Sequence, residues 1–170
     1  MPSRVLAALA RMLRPSRAAV APAASAPPPV LPTATVQVTP PARGELTITY
    51  APEPDGEPDA GEIVWAWVPY DENDGRGKDR PVLVIARQSD DRAYAVRLTS
   101  HAHDGSRDYV SIGSGEWDSR GRPSWVDVSA VYSVHDRGMR REASALDRRR
   151  FSMVADVLVR RYGWRNESGA

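Results

Sequence analysis

The sequence predicts a mainly β fold, α+β by virtue of one C-terminal helix: a small SH3-like barrel behind a disordered N-terminal extension. Three observations lead there. Short apolar runs with a period near two recur between residues 62 and 133, separated by loops rich in Gly, Asp and Ser, as in small barrels and strongly bent sheets. A stretch after residue 144 shows helical spacing with a start and a stop signal. Twelve of the fifteen prolines fall within residues 1 to 58, and the stretch they crowd before residue 45 reads as disordered.

Taken in chain order, residues 1–44 read as the disordered extension and 45–165 as the folded domain. The segment APAASAPPPVLPTATVQVTPPARG mixes proline, alanine and threonine without an aromatic residue, which is the composition of a linker. Ahead of it, Val5, Leu6, Leu9 and Leu13 alternate with Arg4, Arg11 and Arg14 as in a short basic amphipathic helix, too short to hold without a partner. Arg11 interrupts the apolar run too early for a secretory signal, and no segment reaches membrane-spanning length. Leu46, Ile48 and Tyr50 suggest an edge strand, and residues 52–59 an acidic turn. Strands are then expected near 62–68, 81–87, 93–99, 108–112 and 125–133. In the last segment Ser144 followed by Asp147 resembles a capping box, Phe151, Val154, Ala155, Leu158 and Tyr162 share a helix face, and Gly163 ends it.

Composition narrows the function. The chain of 170 residues, 41% hydrophobic, can build one core, and without cysteine it has neither a disulfide framework nor a thiolate metal site, consistent with a cytoplasmic location. Charge is uneven. Residues 1–44 carry five arginines and no acid, and 136–170 nine arginines against five acids, so the net charge of +1 leaves −8 for residues 45–135. A broad basic field of the duplex-binding kind is therefore absent from the centre, and any nucleic acid must be held by a local cationic patch.

That patch lies between the first two strong strands. In GEIVWAWVPYDENDGRGKDRPVLVIA, Gly75 and Gly77 permit positive φ and close backbone approach, while Arg76, Lys78 and Arg80 place three cations within five residues. A guanidinium forks onto two phosphate oxygens, and Pro81 limits where Arg80 can point. Residue type alone leaves open a structural role for Arg80, paired with Asp79 or Asp74. Gly75-Arg-Gly-Lys is not a nucleotide-binding P-loop, because the spacing is wrong and Asp79 stands where Ser or Thr is required. His101, His103 and Asp104 lack a fourth partner at zinc-site spacing, so neither a metal nor another cofactor is expected. Trp117, in the loop GSGEWDSRGRPS, is the tryptophan best placed for an exposed base-stacking platform.

GEIVW, then RPVLVI, then a strand ending in Thr99-Ser100, the segment SWVDVSAVYSV and the helix ALDRRRFSMVADVL together resemble the PemK/MazF family of toxin endoribonucleases over about residues 61–163. The resemblance implies a MazF-type barrel that cleaves single-stranded RNA at short sequences by metal-independent attack of the 2′-hydroxyl. Arg80 and Thr99 would be catalytic, with Ser100 as the substitute if the register slips by one. On the residues themselves, Arg76, Lys78, His101 and Trp117 would bind RNA, and His101, beside Thr99 and Ser100, could move a proton, which departs from the family's usual pattern. A homodimer and a cognate antitoxin are implied as partners. The alternative reading is a catalytically silent barrel of the same kind, acting as a protein- or nucleic-acid-binding module. A non-nucleolytic regulator of the translation machinery is a third.

Overall fold

The computed structural model describes residues 32–53, 57–70 and 76–167, with backbone alone at 141–143. Ten strands and one helix follow in order: β1 (Val36–Val38), β2 (Thr47–Ile48), β3 (Glu62–Pro69), β4 (Gly77–Ser89), β5 (Arg92–Thr99), β6 (Tyr109–Gly113), β7 (Ser124–Asp127), β8 (Val131–His135), β9 (Met139–Ala145), α1 (Arg148–Tyr162) and β10 (Arg165–Asn166). Eight of the strands form one antiparallel sheet in the order β1-β8-β5-β4-β3-β9, with β7 joining the far end of β5 and β6 pairing with β7. The short β2 and β10 pair in parallel beside it.

Strand β5 explains why the sheet curls. Its first half, Arg92 to Ala95, pairs with β8, whereas Leu98 and Thr99 pair with β7, so one strand is shared between two directions of the sheet. Irregularities in the β4–β5 ladder after Val84 and after Arg87 add local twist. The sheet is a half-barrel, mostly β as the sequence predicts, with α1 closing one side.

Both faces of the central strands are buried, which accounts for the unbroken run Val82-Leu83-Val84-Ile85. Ile63, Leu83, Ile85, Val96, Leu98 and Val126 face Phe151, Val154 and Leu158 of α1. Val64, Ala66, Val68, Val82, Val84, Ala93, Ala95, Tyr132 and Val134 form a second cluster on the opposite face, against which Met139 packs, and the sheet curls over these side chains.

Helix α1 begins where Asp147 accepts the Arg150 N–H at 3.0 Å, and it ends at Gly163, whose φ of 71° is the left-handed cap expected of glycine. The cap is Asp147 alone. Ser144 belongs to β9, opposite Ile63, and takes no part in a capping box.

The domain starts earlier than residue 45. Strand β1 pairs with β8, Thr35 is buried, and Arg92 donates to the carbonyls of Pro32 at 2.9 Å and Ala34 at 2.8 Å. Trp164 Nε1 donates to the Pro41 carbonyl at 2.9 Å. Low hydrophobicity concealed a segment held largely through its backbone, in the ladder of β1 with β8 and by carbonyls that accept from Arg92 and Trp164, with Val38 packed against the core. The basic amphipathic stretch of residues 4–14 lies outside the described residues. Two further corrections concern strands: 125–133 is two strands, β7 and β8, and β9 had no clear apolar alternation to announce it.

Candidate nucleic-acid interface

The segment expected to be a glycine-punctuated loop enters the sheet at residue 77. Gly77, Lys78, Asp79 and Arg80 are the first residues of β4 and pair with Pro69, Val68, Trp67 and Ala66. Gly75 lies outside the described residues. Gly77 has no positive φ; its lack of a side chain serves packing, since a Cβ there would fall 2.5 Å from both the Trp67 ring and the Val68 carbonyl. Strand alternation then sorts the charges. Lys78 and Arg80 share a face with Val68, Ala66 and Val82, whereas Asp79 points the other way beside Trp67 and pairs with Arg140 at 2.6 Å. Asp79 is thus not the partner of Arg80, and Asp74 is outside the described residues.

On the neighbouring strand, Ala93, Ala95, Arg97 and Thr99 alternate onto that same face, because Val84 pairs with Ala95 and Val82 with Arg97. The β4–β5 ladder runs out at Val82 and Arg97, and beyond it Arg80 and Thr99 continue on that same face of the two neighbouring strands. Thr99 pairs in turn with Trp125 of β7, and Trp125 with Ser111 of β6. Arg80, Thr99, Trp125 and Ser111 therefore form a row across four adjacent strands, spanning about 14 Å at the usual strand spacing. Arg97, Asp127 and Tyr109 form the next row inward.

The two rows differ in how their polar groups are used. Arg97 Nε donates to Asp127 Oδ2 at 2.8 Å, and Asp127, 1% exposed, also accepts from Ser129 N and Oγ. In the outer row Arg80 is half-buried and its Nε is sequestered without a hydrogen-bond partner among the described residues. Trp125 Nε1 is in the same condition. Thr99 Oγ1 accepts the His101 N–H at 3.2 Å, which fixes the turn leaving β5 and leaves the threonine hydroxyl hydrogen to donate elsewhere. This is a row of donors, suited to an anion.

Of the other residues singled out by sequence, Ser100 and His101 are exposed in the bend just past Thr99. Lys78 is exposed on the Arg80 face, and Arg76 is exposed where its carbonyl accepts the Tyr70 N–H at 2.9 Å, closing the preceding loop. His103 stacks on Tyr109 with ring centroids 3.6 Å apart. No group of three or more His, Cys, Asp or Glu with metal-binding geometry occurs among the described residues.

Trp117 is a correction. It is 4% exposed, packs in the helix-side core and donates from Nε1 to Ser124 Oγ at 3.0 Å, so it offers no stacking platform. Its loop is held by Asp118: desolvation pushes that carboxyl up, but hydrogen bonds from Arg122 and the Arg120 backbone outweigh it and hold the group below the ordinary aspartate value. The tryptophan that does reach solvent, Trp67 at 41% exposed, is on the face opposite Arg80. Trp125, Asp127 and Arg97 escaped the sequence reading because their proximity depends on the long-range register of β5 with β7. Arg97 alone carried a signal, standing two residues before Thr99 and so on its face.

Residues 59–160 match the family described as PemK-like, MazF-like toxin of type II toxin-antitoxin system, which is more than half of the chain. The chain belongs to this family. PemK/MazF proteins are RNA endonucleases, and the resemblance carried by GEIVW, RPVLVI and Thr99-Ser100 falls within the matched residues. Among solved structures, the chain is similar to one described as the crystal structure of MazE-MazF (Form-II) from Deinococcus radiodurans, at 23% identity and a TM-score of 0.45, covering 62% of this chain and 96% of that chain. No curated protein gives a significant match. Among the described residues, no helix is long and apolar enough to cross a membrane.

Proposed function

We propose that this PemK/MazF-family chain is itself an endoribonuclease, cutting single-stranded RNA at short sequences by attack of a 2′-hydroxyl on the adjacent phosphate. The observation that carries the reading is the half-buried Arg80, its Nε without a partner among the described residues, on the same face of the sheet as Thr99 of the neighbouring strand. The guanidinium stabilises the charge that grows on the phosphorane oxygens, and the Thr99 hydroxyl aligns the reacting oxygens. Lys78 and Arg76 draw in the flanking phosphates, and Ser100 and His101 border the site, with His101 moving the proton.

In this reading the charge stabilisation usually supplied by a metal comes from the arginine, and the products are a 2′,3′-cyclic phosphate and a 5′-hydroxyl. A second copy of the chain and a cognate antitoxin are its protein partners. Incubation with a long single-stranded RNA in EDTA, followed by mapping of 5′ ends, tests it. Cleavage at a short recurring sequence is expected; activity lost in EDTA and restored by magnesium or zinc contradicts the metal-independent step.

The rival, a silent barrel used as a binding module, draws on the charge of −8 over residues 45–135, which opposes RNA approach. It predicts binding without new 5′ ends.

A further inference from the structure

We propose that the indole N–H of Trp125 is a second hydrogen-bond donor to the cleaved phosphate, acting from the opposite side of Thr99 to Arg80. The proposal rests on the nuclease reading above and adds a residue to it.

Trp125 pairs directly with Thr99 in the β5–β7 ladder, so the two side chains share a face and are neighbours across one strand spacing. Its Nε1 is buried and has no acceptor among the described residues. A buried N–H without a partner is disfavoured, and one retained in a site asks for an acceptor brought by something else. The contrast with Trp117 is direct: that indole, equally buried, donates to Ser124 Oγ. Arg80 Nε, the other orphaned donor of the outer row, lies on the far side of Thr99. The three donors sit on three adjacent strands, about 10 Å from first to last at the usual strand spacing, and two of them lack an acceptor among the described residues. The neighbouring Asp127 is not that acceptor, being taken by Arg97 and Ser129.

The probe is a short RNA containing the mapped cleavage site, with 2′-deoxyribose at the attacking nucleotide so that it binds uncut. In the wild-type protein, the Trp125 indole ¹⁵N–¹H resonance, assigned through its own backbone amide, shifts downfield on binding. A copy with a methylphosphonate at the cleaved position abolishes the shift if a phosphate oxygen is the acceptor. A shift that persists means a base carbonyl is the acceptor and overturns the proposal. In parallel, Trp125→Phe keeps the ring and removes the N–H; kcat falls about 10²-fold with KM near wild type, the signature of a transition-state donor, and Tm does not fall as it does for Trp117→Phe. An unmoved resonance, or a folded Trp125→Phe protein turning over at the wild-type rate while Arg80→Ala is inactive, overturns this inference and leaves the nuclease reading standing. A wild-type chain that cuts no RNA removes both.

Discussion

Arg80 and Arg97 lie on one face of adjacent strands and differ in what holds them. Arg97 is locked to the buried Asp127, whereas the Nε of Arg80 has no acceptor among the described residues. Trp117 and Trp125 repeat the contrast, one indole satisfied by Ser124 and the other not. In each of these two pairs the partnered group ties strands or loops together, while the unpartnered one is the group that the proposed function gives to the RNA phosphate. Because keeping a buried donor unpaired is costly, the outer row gives up stability that the inner row supplies.

The largest effect expected from that contrast is on activity. Arg80→Ala should lower the RNA cleavage rate by roughly 10²- to 10³-fold, as deleting a preorganised donor does, while the melting temperature stays near wild type. Arg80→Lys should recover only part of the loss, because an ammonium cannot fork onto two oxygens. A folded Arg80→Ala protein with a much lower melting point would instead place Arg80 beside Arg97 as a structural residue.

For the inner row the expectation inverts. Arg97→Ala or Asp127→Asn breaks a buried pair by removing one member and should cost on the order of 3 kcal/mol in denaturant unfolding. The double variant should cost less than the sum of the two. Additive losses would mean that the two residues act separately.

How far the sequence revealed this division can be judged residue by residue. The alternation in GEIVWAWV and RPVLVIA, the helix face from Phe151 to Tyr162 and the cap at Gly163 depend on neighbours close in sequence, and all were legible. That Arg80 and Thr99 share a face of neighbouring strands was reachable only through the resemblance, since the pairing of β4 with β5 is not a local property. Trp117 was misjudged because a tryptophan in a polar, glycine-rich loop reads as exposed; here the loop folds back on its own ring, and a Cβ at Gly115 would fall 2.0 Å from it. The segment 32–44 was misjudged because its carbonyls, which bind Arg92 and Trp164, carry no signature in side-chain composition.

Smaller effects sharpen the contrast between the tryptophans and between exposed and buried pairs. Trp117→Phe removes a made hydrogen bond and should lower stability by about 1 kcal/mol beyond the loss of ring area. Asp79→Asn, which breaks the exposed pair with Arg140, should change stability by less than about 1 kcal/mol and leave cleavage intact. If Asp79→Asn impaired cleavage as strongly as Arg80→Ala, the functional face would be the Trp67 side and the assignment of faces would be wrong.

The most direct test compares wild type, Arg80→Ala and Thr99→Ala, each shown to melt near the wild type, on one long single-stranded RNA in EDTA, with 5′ ends mapped and 3′ termini analysed. The expected result is cleavage at a short recurring sequence with 2′,3′-cyclic phosphate termini for the wild type, and near-complete loss for both variants. Wild-type cleavage rates in the two folded variants would contradict a site built on Arg80 and Thr99.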